Sequence, residues 1–207
     1  WSSNNKWSLY GAMRAAAQII SYEIPIGLSL LLVVLVTGSL HIGEIVAWQQ
    51  EHHWFIFHSP FIFASFFIYF VSTVAETNRV PFDIPEAESE LVAGWMTEYS
   101  GFRWAVFFLT EYGNVLIVSL VASIVFLGGW LSPIHMLPGV PNWTFLDGPV
   151  LGVFWLFLKA SMLIFVMIWF RWTFPRLRVD QLMYLCWKVF IPFSLANLFF
   201  VSLWELI

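Results

Sequence analysis

Five long apolar runs, separated by short polar stretches, constrain this chain more than any other feature of its sequence. About 20 consecutive apolar residues cross the hydrocarbon core of a bilayer as an α-helix. Inside a bilayer the backbone must satisfy its own hydrogen bonds, and a helix does so within one segment. The sequence therefore predicts an all-α polytopic transmembrane helix bundle. We place its five spans near 15–39, 54–75, 104–129, 150–170 and 183–204.

The composition excludes several other classes of protein. Only 11% of the residues are charged, which is too few to cover a water-soluble domain. The single cysteine, Cys186, permits no intrachain disulfide and provides no thiolate set for zinc or an iron–sulfur cluster. A haem-binding span would need paired histidines, and only His58 enters a predicted span. We therefore expect no metal site and no nucleic-acid partner, and we expect any redox centres to lie in other chains.

The basic residues predict how the spans are oriented. Seven of the nine Lys and Arg residues fall in the N-terminal stretch, the acidic loop 76–103 or the basic link 171–182. Cytoplasmic connections carry the excess of Lys and Arg in membrane proteins. The sequence thus predicts one membrane domain over 1–207, with these three regions inside and the C-terminus outside. The opening "WSSNNKW" lacks an initiator Met and the layout of a signal peptide, so we expect the C-terminal part of a longer chain.

Several charges interrupt the apolar runs. A charged side chain costs about 2.5–3.5 kcal/mol at the centre of a spanning helix, so these groups are expected to face protein or a hydrated cavity. They either pair and lock helices together, or they form a proton path, since partly buried carboxylates titrate nearer neutral pH. The charged residues concerned are Glu23, Glu111, Lys159 and Lys188, with Glu76 at the inner end of the second span.

The local sequence favours the proton path at Glu23 and Glu111. Pro25 follows Glu23 and removes a backbone donor, which tends to kink a helix, while Tyr22 offers a hydroxyl beside it. Asn114 lies one turn from Glu111 on nearly the same helix face. Both glutamates are thus predicted to lie in polar surroundings.

The acidic stretch "AETNRVPFDIPEAESELVAG" at 75–94 has two interpretations. Asp83 and Glu86 fit a capping box at the start of a short helix, which is an ordinary structural role. Glu86 and Glu90 share one helix face, where like charges are unfavourable by about 0.2–0.5 kcal/mol, and Glu76 precedes the prolines and cannot cap this helix. The surplus carboxylates favour a rigid acidic surface for docking or proton entry.

The segment 75–114, "AETNRVPFDIPEAESELVAGWMTEYSGFRWAVFFLTEYGN", resembles the signature region of the H-subunit/ND1 family of respiratory complex I, the NADH:quinone oxidoreductase. The segments 3–25 and 171–183 ("RWTFPRLRVDQLM") support the resemblance, which covers the chain in order. The family normally has eight spans, and this chain looks like the last five. The resemblance implies a bacterial plasma membrane or the inner mitochondrial membrane, with the acidic loop on the cytoplasmic or matrix side.

The resemblance also implies a function and a set of site residues. Members of the family form the membrane side of a quinone tunnel and carry no redox centre, so we expect no catalysis by the isolated chain. Quinone is the expected substrate, and FMN and iron–sulfur clusters are expected in partner subunits. The expected partners are the peripheral quinone-site subunits, small neighbouring membrane subunits and bilayer lipid. Glu23, Glu76 and Glu111 match the family's proton relay. Arg79, Asp83, Glu86, Glu88 and Glu90 match the loop beneath the quinone chamber.

Other functions remain open at this stage. Membrane subunits of energy-converting hydrogenases are similar but lack the full "NRVPFDIPEAESELVAG" run, and an archaeal-type complex that is fed by a reduced deazaflavin uses a close relative. A stand-alone proton-coupled transporter would suit the intramembrane carboxylates, although no internal repeat is apparent. A structural anchor for a peripheral arm would predict that changes at Glu23 and Glu111 are silent.

Overall fold

A computed structural model describes residues 2–84, 94–133 and 148–206, and within these ranges it contains helices and no strand. The helices are α1 (Lys6–Thr37), α2 (Ile42–Glu51), α3 (Pro60–Glu76), α4 (Gly101–Phe126), α5 (Pro149–Thr173), α6 (Val179–Leu185) and α7 (Ile191–Trp204). A π-helical turn, Cys186–Phe190, joins α6 to α7, and two 3₁₀ turns occupy Phe55–Phe57 and Gly94–Met96.

Four helical segments of the described chain are long and apolar enough to cross a membrane: α1, α4, α5 and the continuous unit Val179–Trp204. The fifth apolar helix, α3, is shorter. The predicted all-α polytopic membrane bundle is confirmed, and the protein is an integral membrane protein.

The helix ends follow capping residues rather than the limits of the apolar runs. The Asn5 side chain accepts a hydrogen bond from the Trp7 amide, so α1 begins before the predicted bound at 15. The predicted span 54–75 divides, because Ser59 caps a new helix and accepts from the Ile62 amide at 3.3 Å. Pro60 occupies the first turn of α3, where its missing N–H costs nothing. Hydropathy alone does not detect such a boundary.

Helix α3 lies at the centre of the bundle and contacts four other spans. It packs most extensively on α1, and it also contacts α4 and α7. Phe66 meets Phe126 of α4 with ring centroids 5.5 Å apart, and Phe70 meets Phe170 of α5 at 5.8 Å. Side-chain polar bonds add to this apolar packing, as such bonds do between membrane helices. One of them is buried, from Asn197 of α7 to Ser65 of α3.

Candidate functional site

The acidic loop and the basic link meet at one end of the bundle, beside a partly open cavity of about 500 Å³. Its walls come from the residues that follow α3, the 3₁₀ turn Gly94–Met96, the first half of α4, and the last turn of α5 with the residues after it. Three arginines and two carboxylates line it: Arg79, Arg171, Arg176, Asp83 and Glu111. Trp104, Phe108 and Tyr112 form an aromatic strip along the α4 wall, with successive centroids 5.3 and 4.8 Å apart.

Arg79 lies across the α4 wall of this cavity. Its guanidinium carbon is 4.1 Å from the Tyr112 ring centroid, a distance at which a cation and an aromatic face attract. Its Nη2 atom and the Oε1 atom of Glu111 are both buried and have no hydrogen-bond partner among the described residues. The cavity is therefore lined by a strong donor and a strong acceptor, both with unused hydrogen-bonding capacity.

Asp83 is attached to the basic link. Its carboxylate lies 3.5 Å from Arg176 Nη2, and the same guanidinium donates to the Asp83 backbone carbonyl. Nearby, the Leu177 amide donates to Pro81 O at 3.0 Å. These contacts join two segments that are 93 residues apart in sequence. They explain why the loop and the link, both predicted on the inner side, form one surface.

The loop up to Ile84 is also attached to α1. Phe82 is buried and packs against the Tyr22 ring at 5.8 Å, and its carbonyl accepts from Gln18 at 3.0 Å. The sequence predicts a loop of fixed shape from Pro81 and Pro85. Within the described residues, the contacts to α1 and to the basic link hold it in place.

Glu23 and Glu76 form an acidic pair that does not line the cavity. Glu23 is exposed on α1 and Glu76 is exposed as the last residue of α3, and they lie close enough for their charges to interact. The Tyr22 hydroxyl does not donate a hydrogen bond to Glu23, because it donates to Leu182 O at 3.0 Å. Of the three predicted relay glutamates, the structure thus brings Glu111 to the charged cavity and leaves Glu23 and Glu76 together beside it.

A model of the NADH dehydrogenase family matches residues 1–202. The chain belongs to this family. The H-subunit of NADH-quinone oxidoreductase from Chlorobaculum tepidum is 54% identical over 208 residues, which is 99% of this chain and 58% of that protein. The Geobacillus protein of the same name is 53% identical over 203 residues, covering 98% and 56%. That of Magnetococcus marinus is 50% identical over 203 residues, covering 98% and 55%. The resemblance to the H-subunit/ND1 family is confirmed, and the chain spans just over half the length of these curated relatives.

Some predicted residues of the family's loop lie outside the described part of the chain. They are Glu86, Glu88 and Glu90, so the capping box of Asp83 with Glu86 and the roles of these carboxylates stay predictions. Of the five predicted loop residues, Arg79 and Asp83 are described, and both line the cavity.

Sequence reasoning missed several residues that line the cavity. In the sequence, Arg171 and Arg176 support the predicted orientation and the family resemblance but are not predicted as site residues. The opposite charges of the acidic loop and the basic link, both predicted on the inner side, could have indicated that they meet. The aromatic residues Trp104, Phe108 and Tyr112 recur every four positions, which places them on one face of a helix. That spacing could have predicted an aromatic face on α4, which forms one wall of the cavity. Asn114, predicted to share the surroundings of Glu111, is exposed and is not part of the lining.

The arrangement suits the binding of a planar polar molecule and the movement of protons. Guanidinium groups donate to carbonyl or anionic oxygens and do not lose their own proton. A carboxylate in a partly buried cavity accepts and releases protons. The cavity combines both groups with an aromatic wall, on which a flat ring can stack.

Proposed function

We propose that this chain is the membrane subunit of a proton-pumping NADH:quinone oxidoreductase. It lines part of the quinone chamber and couples quinone reduction to proton translocation through its glutamates. The cavity that brings Arg79, Asp83 and Glu111 together with Arg171 and Arg176 carries this proposal. Its volume of about 500 Å³ falls within the usual range of ligand pockets, roughly 300–1,000 Å³.

The electrons are delivered by other chains of the complex. Reduction of a quinone to a quinol consumes two electrons and two protons. Peripheral subunits that hold FMN and iron–sulfur clusters supply the electrons, and small membrane subunits beside this chain continue the proton path. Quinone reaches the chamber from the surrounding lipid. This chain binds and orients the quinone and exchanges protons with the chamber.

The charges of the cavity give each of its residues a role in this scheme. Arg79 donates from its unused Nη2 to a quinone oxygen or to water, while its position over Tyr112 fixes the guanidinium plane. Arg171 and Arg176 make the chamber attractive to the negative charge that develops during reduction. Asp83, held by Arg176, responds when that charge changes.

The glutamates transmit the response into the membrane. Glu111 exchanges a proton with the cavity through its unused Oε1 atom. Glu76 and Glu23 respond next, because their charges interact and a change of charge at one acts on the other. Glu86, Glu88 and Glu90 are proposed to join the response at the chamber, with the loop on the cytoplasmic or matrix side and the C-terminus opposite.

The first test is the quinone kinetics of an Arg79→Gln variant in the assembled complex. Loss of a charged hydrogen bond is worth about 1.5–3 kcal/mol, so we expect the KM for a decyl-substituted quinone to rise about tenfold or more. Asp83→Asn is expected to lower kcat, because the neutral amide no longer responds to charge in the chamber.

The matched control is Arg103→Gln. Arg103 is an exposed arginine in the first turn of α4 and does not line the cavity. Its substitution is expected to leave both constants unchanged. If assembled Arg79→Gln and Asp83→Asn complexes reduced quinone with the parent KM and kcat, this cavity would have no part in quinone binding.

A further inference from the structure

Gln18, in the middle of α1, is a buried amide that bonds to the start of the acidic loop. Its side chain is 1% exposed. Its Nε2 atom lies 2.5 Å from Ala75 O, 3.0 Å from Phe82 O and 3.2 Å from Asn78 Oδ1. One side chain of α1 therefore contacts the last turn of α3, the residues after it, and the loop beyond.

The orientation of this amide follows from its neighbours. The carbonyls of Ala75 and Phe82 are backbone acceptors and cannot donate. The NH₂ group of Gln18 must face them, which directs Oε1 the other way, where it is buried without a hydrogen-bond partner among the described residues. An unsatisfied buried acceptor destabilises the folded chain. The bonds made by the NH₂ group offset that penalty.

The segment held by Gln18 is the one that carries Arg79. Residues 75–82 leave α3 through Asn78, whose φ of 51° lies in the left-handed region, and Asn78, Arg79 and Val80 line the cavity. Gln18 bonds on both sides of Arg79, at Ala75 and Phe82, but it does not line the cavity itself. It fixes the base of the turn from which the guanidinium extends to Tyr112.

We propose that Gln18 is a positioning residue for the quinone chamber, acting through Arg79. This inference rests on the proposed function. The Gln18 amide sets the position of segment 75–82 relative to α1, and thereby holds the Arg79 guanidinium against the α4 wall beside Glu111. Without the amide donors, Arg79 loses this fixed position, and quinone binding weakens although no group that touches quinone has been changed.

The chain contains a matched control for a purely structural role. Gln49 is also fully buried, and its Nε2 donates to Ile124 O at 3.0 Å while its Oε1 accepts from the Phe55 amide at 3.5 Å. This second buried glutamine joins α2 to the last turn of α4. From Glu111 to Ile124 the helix rises about 20 Å, so Gln49 is remote from the cavity.

The test compares Gln18→Leu with Gln49→Leu in the assembled complex. Both changes remove buried amide bonds, so both are expected to lower the thermal midpoint of the complex. Only Gln18→Leu is expected to raise the KM for a decyl-substituted quinone, by about three- to tenfold, the effect of roughly 1 kcal/mol at the site. Gln49→Leu should keep the parent KM within twofold.

A double-mutant cycle separates positioning through Arg79 from any direct effect. In an Arg79→Gln background, Gln18→Leu is expected to add little further increase in KM, because the group that it positions is gone. Fully additive effects would contradict the proposal. If Gln18→Leu does not assemble, Gln18→Asn serves, since its shorter amide reaches fewer of the three acceptors and should shift KM in the same direction.

The outcomes also distinguish this inference from the proposed function. If Arg79→Gln raises KM while Gln18→Leu and Gln49→Leu give the same KM, the positioning role is wrong but the proposed quinone chamber remains supported. If Arg79→Gln leaves KM unchanged, positioning through Arg79 is wrong, and if Asp83→Asn also leaves kcat unchanged, the proposed chamber is wrong as well. A selective increase in KM for Gln18→Leu that is absent in the Arg79→Gln background supports both.

Discussion

The ammonium group of Lys159 is held by the backbone at the end of another helix. This residue of α5 is 5% exposed, and its Nζ donates to the carbonyls of Leu127, Gly129 and Leu131 at 2.7, 3.0 and 2.7 Å. Leu127 is the C-cap of α4, and Gly129 and Leu131 lie in the turn after it, so Lys159 ties α5 to the turn that ends α4. Its Nζ also lies 4.4 Å from the Trp54 ring centroid. We interpret it as a structural residue rather than as a member of the proton path.

Replacement of Lys159 by Met is expected to destabilise the complex without changing its coupling. Three carbonyls lose a charged donor, and each orphaned buried group costs about 1–3 kcal/mol. The thermal midpoint of the purified complex should fall markedly, while the ratio of protons pumped to electrons transferred stays at the parent value.

Lys6→Met is the matched control for this change. Lys6 also lies near an aromatic ring, 5.0 Å from the Trp7 centroid, but it is exposed. Its loss should shift the midpoint little, because exposed cation–π contacts contribute about 0.5–1 kcal/mol. Equal midpoints for the Lys159→Met and parent complexes would refute the structural role.

Among the helices, α1 and the π-helical turn are joined by an unusual hydrogen bond. Pro25 has no N–H to donate to the carbonyl of Ser21 one turn earlier. The Cys186 thiol donates to that carbonyl at 2.8 Å, and the Trp187 indole donates to the Ser21 hydroxyl at 3.2 Å. The lone cysteine, for which the sequence predicts no metal or disulfide chemistry, thus has a structural role in α1, where it bonds to the carbonyl that Pro25 leaves without a partner.

Two glycines at helix ends have left-handed backbone, but only one of them has a close neighbour. Comparing them distinguishes the cost of backbone strain from the cost of a steric clash. Gly38 ends α1 with φ of 69°, and nothing lies within 4 Å of an added Cβ. Gly128, after α4, has φ of 77°, and an added Cβ would lie 2.5 Å from Nε1 of the buried Trp54. Alanine at either position is destabilised by about 1–2 kcal/mol through the left-handed backbone.

Gly128→Ala is expected to lower the thermal midpoint of the complex clearly more than Gly38→Ala does. The additional effect comes from displacing the Trp54 indole, and overpacking of this kind costs about 1–3 kcal/mol. Differential scanning calorimetry of the two variants and the parent complex measures this difference in thermal midpoint. Equal shifts would mean that the indole moves aside freely and that its packing on Gly128 contributes little.

Across the whole molecule, the sequence predicts the all-α membrane fold and only part of the site. Long apolar runs are local features, so the helical class can be predicted from them, whereas the division at Ser59 and Pro60 depends on a cap within an apolar run. The cavity depends on contacts between remote segments, such as Arg176 with Asp83 and Gln18 with Phe82. A single sequence gives no measure of those contacts. Glu23 and Glu111 are predicted from their local sequence, Arg79 is predicted by resemblance, and the wall from Arg171 and Arg176 is not predicted.

The positions of the charged residues indicate the proposed path of protons, from the cavity into the membrane. The arginine-lined cavity lies where the loop and the link meet, and the pair of Glu23 and Glu76 lies beside it on α1 and α3. Glu111 is the one predicted relay glutamate that lines the cavity. Coupling is therefore expected to depend on Glu111 more directly than on any other carboxylate of the described chain.

The most direct test of this account is the ratio of protons pumped to electrons transferred by a Glu111→Gln complex in sealed vesicles. Glutamine keeps the shape of the side chain but does not exchange a proton, so we predict an assembled complex that still reduces quinone with a lowered ratio. Glu44→Gln, a change at an exposed carboxylate in the first turn of α2, should keep the parent ratio. An assembled Glu111→Gln complex that pumped with the parent ratio would contradict the proposed coupling.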